Sequence, residues 1–180
     1  MIVVDLGCAP HGPEQSIGQL IDRFQPDTLY GFDPWPGLVD SDSYLFGTRV
    51  EIRRSAAWTH DGFCEYAHVN RERSWDSTIV RAKNSRNEWA GDVIEVPCFD
   101  FAVWLRHLRH AGAGFERVVV KMDIEGAEFA LLSYLHEDGS DSLIDWLLVE
   151  WHDQKMEQPR HYLQARRRLL RDLRCSVAAW

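Results

Sequence analysis

The sequence predicts an α/β fold with a mostly parallel sheet of six or so strands and helices on both faces. Short apolar runs alternate with amphipathic segments along nearly the whole chain, which is typical of parallel strands joined by crossover helices. Loops rich in glycine and proline separate these segments. The length of 180 residues suits one compact domain better than two. We therefore expect a single domain over residues 1–180.

The elements follow in order from hydrophobic spacing. The first helix is expected at residues 14–24, because Ile17, Leu20, Ile21 and Phe24 recur at helical intervals. A short helix is expected before Gly47, and residues 70–92 are interpreted as an irregular inserted segment. Further helices are predicted at 100–110, 126–135 and 159–174, and strands at 2–6, 28–32, 50–58, 63–69, 93–96, 117–123, 146–151 and 176–180.

Composition narrows the possible partners and compartment. No apolar run approaches the ~20 residues needed to cross a bilayer, and the amino terminus lacks the basic flank of a signal peptide. Four scattered cysteines without a Cys-x-x-Cys pair are typical of a reducing cytoplasm. A formal net charge of −8 makes broad nucleic-acid binding an unfavourable expectation. We expect a cytoplasmic protein that does not bind a membrane and that is a monomer or a homodimer.

The loop after the first strand is the first candidate site. It contains Asp5, Gly7, Cys8, Ala9 and Gly12 in the pattern Asp-x-Gly-x-x-x-x-Gly. Glycines there allow a tight turn and a close approach of the backbone to a ligand, and the next helix offers free N–H groups. The pattern is not the dinucleotide fingerprint Gly-x-Gly-x-x-Gly. A glycine-bearing turn without ligand is the alternative. We do not expect Cys8 to act as a nucleophile.

The second predicted strand ends in Asp33 and Pro34. An acid roughly 20–30 residues after a glycine loop can accept hydrogen bonds from both hydroxyls of a ribose. An aspartate that initiates a turn before proline is the structural alternative. Together, loop and acid favour a cofactor that carries a nucleoside.

The stretch Lys-Met-Asp-Ile-Glu-Gly-Ala-Glu at residues 121–128 is the most specific motif. It resembles the hallmark of the FkbM family of S-adenosylmethionine-dependent methyltransferases, with two conservative differences. Asp-Leu-Gly-Cys, Gly-Phe-Asp-Pro, Ala-Ala-Trp beginning at Ala56, and Leu-Val-Glu-Trp-His occur in the expected order, so the resemblance extends from Val3 to His152. It implies a Rossmann-like class I fold, S-adenosyl-L-methionine as cofactor, and Ala56 near that cofactor.

The resemblance also implies methyl transfer to a hydroxyl of a small molecule or a glycan. Asp123 would face the methyl donor, and Glu150 and His152 would end the neighbouring strand. His152 is a candidate proton acceptor. These three residues can alternatively hold a divalent cation, which the sequence does not favour. Glu125 and Glu128 are expected at the start of a helix, where acids stabilise its positive end without a catalytic role, and a functional role is the alternative, above all for Glu125.

Two other functions remain open. Asp-Leu-Gly-Cys-Ala-Pro also resembles the opening motif of RNA ribose methyltransferases, although their Lys-Asp-Lys-Glu set does not map convincingly onto this chain. A cofactor-binding module without transfer activity is the other, because we expect no strand equivalent to the seventh strand usual in this fold. We expect the sixth strand to pair directly with the fifth, since the helix between them is long enough for a crossover.

Overall fold

The architecture is described from a computed structural model, in which residues 1–8, 13–69, 77–79, 92–111 and 117–180 are described. The strands are β1 Ile2–Leu6, β2 Thr28–Phe32, β3 Ser41–Leu45, β4 Thr48–Arg53, β5 Ala56–Trp58, β6 Gly62–Val69, β7 Asp92–Asp100, β8 Val118–Met122, β9 Trp146–Val149 and β10 Ser176–Ala179. The α-helices are α1 Pro13–Phe24, α2 Phe101–Ala111, α3 Glu128–Asp138 and α4 Pro159–Asp172. Two short 3₁₀ helices lie at Ser140–Leu143 and Asp153–Lys155.

The main sheet has seven strands in the order β10-β9-β8-β1-β2-β4-β3. All neighbouring strands are parallel except β3, which is antiparallel to β4. The central strands β1 and β8 are buried along their whole length, as expected for a parallel sheet covered on both sides. The predicted α/β class and mostly parallel sheet are therefore confirmed.

The order in which successive strands are added to the sheet reverses between β1 and β8. From β1 the strands follow one another outward through β2 and β4, whereas β8, β9 and β10 follow one another outward on the other side. β1 and β8 pair in parallel, with Leu6 opposite Met122. In open α/β sheets, the crevice at the carboxyl end of such a reversal is the usual place for a ligand.

Helices cover both faces of this sheet, as predicted. Along β1 the side chains alternate, so Val3 and Asp5 face the same side as α1. There Ile17, Leu20 and Ile21 of α1 pack on the sheet in one apolar cluster. The opposite face is covered by α2, α3 and α4, whose buried residues include Phe101, Leu105, Leu132, Leu135 and Leu169.

The predicted strand at 50–58 is wrong as a single element. β4 ends at Arg53, and the N–H of Ser55 donates a hydrogen bond of 3.0 Å to the carbonyl oxygen of Arg53, a tight turn that breaks the strand. β5 then joins a separate three-stranded sheet in the order β5-β7-β6. Local hydrophobicity does not reveal this change of partner, because both halves of the segment are apolar enough to be strands.

The predicted short helix before Gly47 is also wrong, since β3 occupies that region. Phe46 and Gly47 both have positive φ angles, 51° and 88°, and their turn joins β3 to β4 as an antiparallel hairpin. The prediction that residues 70–92 form an irregular segment falls largely outside the described residues.

The closing edge of the sheet agrees with the sequence-based expectation. β10 pairs directly with β9 in parallel, with Ser176 opposite Trp146 and Ala179 opposite Val149. Within the described ranges, no antiparallel strand lies between them. None of the helices in these ranges is long and apolar enough to span a membrane.

Candidate active site

The turn that follows β1 depends on a glycine. Gly7 has a φ angle of +83°, and a Cβ atom at this position would collide with the backbone carbonyl group of Asp123. The Gly7 N–H donates a hydrogen bond of 2.9 Å to the carbonyl oxygen of Phe32 at the end of β2. Gly7 therefore allows the ends of β1, β2 and β8 to meet. The predicted site residues Ala9 and Gly12 lie outside the described residues.

Cys8 lies beneath this turn rather than in an open cleft. Its side chain is 2% exposed. Its Sγ packs against Gly31, 3.1 Å from the position that a Cβ atom on Gly31 would occupy. Burial raises the pKa of the thiol well above its ordinary value, and the charges of Asp5 and Asp33 add to the effect. A protonated, enclosed thiol is a poor nucleophile, in line with the expectation from the sequence.

A buried ion pair supports the turn from the α1 side. Asp5 is fully buried, with its carboxylate 3.0 Å from Nζ of Lys121, and it accepts a hydrogen bond of 2.7 Å from the hydroxyl of Ser16. Lys121 also donates to the carbonyl oxygen of Gly7 at 3.0 Å and lies 3.4 Å from Asp123 Oδ2. Within the described residues the contacts of Asp5 are thus with Lys121 and α1.

Lys121 is a functional candidate that the sequence reasoning missed. Burial lowers the pKa of this ammonium group, but the charges of Asp5 and Asp123 outweigh burial and raise the pKa. The group therefore stays charged beneath the glycine turn. The available signal was a lone lysine in the otherwise apolar strand Val-Val-Val-Lys-Met, since a charge in a buried strand needs a partner.

Asp33 lies at the carboxyl end of β2, next to the glycine turn. Its side chain is buried, and Oδ1 accepts a hydrogen bond of 2.8 Å from the N–H of Trp35. The half-buried Pro34 follows it. Ala56 is buried in β5 of the smaller sheet and pairs with Cys98 of β7. Asp33 thus has the geometry of a turn-initiating aspartate at the place predicted for ribose recognition.

Tyr66 is a buried tyrosine on β6 of the smaller sheet. This side chain is 3% exposed. Burial raises the pKa of its hydroxyl strongly, and the charges of Asp33 and Glu125 raise it further. Tyr66 therefore keeps a neutral hydroxyl, and Asp33 and Glu125 are close enough to influence its pKa.

The ends of β8 and β9 bring together the three predicted catalytic residues. Nε2 of His152 lies 3.7 Å from Asp123 Oδ1 and 3.7 Å from Glu150 Oε1. It also lies 3.5 Å from Glu125 Oε2, so the structure adds a fourth residue to the predicted set. His152 is 2% exposed, whereas the side chain of Glu150 is 49% exposed. The cluster therefore runs from a buried imidazole to a solvent-facing carboxylate.

Glu128 holds this imidazole in place. It is fully buried, and its Oε1 accepts a hydrogen bond of 2.8 Å from the backbone N–H of His152 and lies 3.2 Å from Nδ1. Its Oε2 accepts a hydrogen bond of 2.8 Å from the N–H of Gly126. Because an ionised carboxylate only accepts hydrogen bonds, Nδ1 is the nitrogen that donates to Glu128, and Nε2 faces the other acids of the cluster. Glu128 opens α3 as predicted, but it also positions His152.

The charges around His152 oppose the effect of burial on its pKa. Burial lowers the pKa of the imidazole, while the hydrogen bond to Glu128 and the charges of Glu128 and Glu125 raise it, and the net direction is upward. Lys155 opposes this rise and contacts Glu125 Oε2 at 3.0 Å.

The turn that carries these acids has an unusual backbone. Glu125 has a φ angle of 54° and Gly126 one of 102°, and a side chain at Gly126 would meet Sδ of Met156 at 2.6 Å. A residue other than glycine in the left-handed region costs free energy that the surrounding packing must offset. Buried Met156 packs over Gly126 and stabilises this turn. The turn in turn sets the orientation of the Glu125 side chain.

Comparison of the chain with models of protein families, with curated proteins and with solved structures finds no match. The site is therefore interpreted from its own geometry.

Replacing Gly7 with alanine tests the meeting of strands at this turn. Gly7→Ala places a methyl group against the carbonyl group of Asp123 and also requires left-handed alanine, which costs about 1–2 kcal/mol by itself. We expect urea denaturation to show a loss in the free energy of unfolding at least about 2 kcal/mol larger than for Gly47→Ala. Gly47 is the matched control, because its φ is +88° and nothing lies within 4 Å of a Cβ atom there. Equal losses in the two variants would contradict the close approach.

Proposed function

We propose that this chain is an S-adenosylmethionine-dependent methyltransferase of the FkbM kind, on a Rossmann-like sheet, which methylates a hydroxyl group of a small molecule or glycan. One observation carries the proposal. The glycine turn, the buried Asp33 and the cluster around Asp123 lie together at the carboxyl edge of the sheet, where the strand order reverses. A nucleoside-bearing cofactor and a polar acceptor site are expected at such an edge.

The residues at the Gly7 end fit the cofactor chemically. Gly7 brings backbone rather than side chain to the crevice, and a carboxylate at Asp33 can accept hydrogen bonds from ribose hydroxyls. We also propose Cys8, Ala9 and Gly12 as cofactor-binding residues, of which Ala9 and Gly12 lie outside the described residues. Asp5 contributes indirectly, because it holds Lys121, which in turn holds the carbonyl group of Gly7.

The residues at the other end suit an acceptor hydroxyl. When bound, the cofactor supplies an electrophilic methyl carbon on a sulfonium centre: an acceptor oxygen forms the new C–O bond, the C–S bond breaks, and its electron pair remains on sulfur. The acceptor must also lose its O–H proton. Asp123, Glu150 and His152 offer proton-accepting atoms within a few ångströms of one another, and any of them can act as general base for a hydroxyl bound within hydrogen-bond reach.

Binding of S-adenosylhomocysteine tests the cofactor half of the proposal. Asp33→Ala should weaken binding by about 1–3 kcal/mol, because ribose hydroxyls lose their acceptor. Isothermal titration calorimetry on folded protein measures this. Asp42→Ala is the control, since Asp42 is an exposed acid on β3 that pairs with Arg53, and it should bind like the unaltered chain. Unchanged affinity in Asp33→Ala would remove Asp33 from the cofactor site.

Transfer of a labelled methyl group tests the reaction. A panel of sugar and small-molecule hydroxyl acceptors, with bulk RNA for comparison, should show transfer to a non-RNA acceptor. Asp123→Asn should fold yet lose most of this activity, because Asp123 directly follows β8 and belongs to the cluster around His152, whereas Asp42→Asn should keep it. Full activity in Asp123→Asn would remove Asp123 from the mechanism. Transfer to RNA alone would favour a ribose methyltransferase, and cofactor binding without any transfer would favour an inactive module.

A further inference from the structure

The imidazole of His152 has one nitrogen in use and one aimed at carboxylates. Nδ1 bonds to Glu128, while the buried Nε2 has no hydrogen-bond partner among the described residues. The nearest carboxylate oxygens lie at 3.5–3.7 Å, beyond hydrogen-bond length. A buried imidazole nitrogen that faces several acids, while the other ring nitrogen bonds to a carboxylate, is the arrangement seen in metal-binding histidines.

The spacing of these atoms suits a cation. One atom each from Asp123, Glu125 and His152 can be chosen so that all lie within 4.8 Å of one another. Ligands bonded to a divalent cation at about 2.1–2.4 Å stand roughly 3.0–4.8 Å apart, for neighbouring and opposite positions respectively. Only a small contraction would therefore bring the three atoms into coordination distance.

We infer that Asp123 Oδ1, Glu125 Oε2 and His152 Nε2 bind a divalent cation, with Glu150 at the solvent-facing rim. Two carboxylates and one imidazole combine oxygen and nitrogen donors, which suits Mn²⁺ better than Ca²⁺. The protein already orients each ligand. Lys121 contacts Asp123 through the other oxygen, Oδ2, at 3.4 Å, and Glu128 holds His152 from behind.

The consequence for the substrate rests on the proposed methyl transfer. A cation at this site would bind the acceptor oxygen and make its O–H group more acidic. An acceptor with a second oxygen next to the hydroxyl would bind through both. With Nε2 occupied as a ligand, the hydroxyl proton would pass to Glu150, whose carboxylate is half exposed, while the acceptor oxygen forms the bond to the methyl carbon and the C–S bond breaks.

Titration of the full chain with Mn²⁺, followed by electron paramagnetic resonance, tests the site without any assay of activity. The signal of free Mn²⁺ should show saturable binding of a single ion per chain. Asp123→Asn and His152→Gln should each weaken binding by about tenfold or more, and Glu125→Gln should act in the same direction. Glu157→Gln is the matched control, an exposed acid just beyond the site, and should leave binding unchanged. Circular dichroism confirms that each variant is folded.

Two results would overturn the inference: no saturable Mn²⁺ binding by the unaltered chain, or binding that survives unchanged in the folded Asp123→Asn and His152→Gln variants. Calorimetry with S-adenosylhomocysteine separates this failure from failure of the proposed function. Cofactor binding without Mn²⁺ binding would remove the cation and keep the methyltransferase. Mn²⁺ binding lost in the variants, without cofactor binding, would keep the cation site and remove the methyltransferase.

Discussion

The buried ammonium group of Lys121 links the two central strands, β1 and β8, at the place where the strand order reverses. Nζ of Lys121 lies 3.0 Å from Asp5, 3.4 Å from Asp123, and donates to the carbonyl oxygen of Gly7. One charge thus fixes the end of β1, the turn after it and the first acid of the candidate site. Removing one partner of such a buried pair is costly, because the remaining charge stays buried without compensation.

The same constraint orients the rest of the site. With Oδ2 of Asp123 turned toward Lys121, Oδ1 faces His152, whose ring is fixed by Glu128. Asp123 is therefore positioned by Lys121, and Glu125 by a left-handed backbone and by Lys155. A site whose groups are held before any ligand arrives loses little conformational freedom on binding.

The sequence predicted the site residues that lie at strand ends. It predicted few of the roles that depend on contacts between residues far apart in the sequence. The family resemblance placed Asp123 and His152 at the ends of neighbouring parallel strands, and such ends lie at the same edge of a sheet. The role of Glu128 was missed, because its bond to His152 joins residues 24 positions apart, and first-turn acids are common without such a bond. The role of Lys121 depends on β1 lying beside β8, which local pattern does not specify. The break within 50–58 depends on pairing with β7 for the same reason.

The central claim is that a nucleoside-bearing cofactor binds where β1 and β8 diverge. Titration of ¹⁵N-labelled protein with S-adenosylhomocysteine, followed by amide resonances, tests it most directly. The account predicts saturable shifts at Gly7, Gly31, Asp33 and Asp123, with the exposed arginines of α4 unaffected. Absence of saturable shifts, or shifts centred on α4 and the β3–β4 hairpin instead, would contradict it.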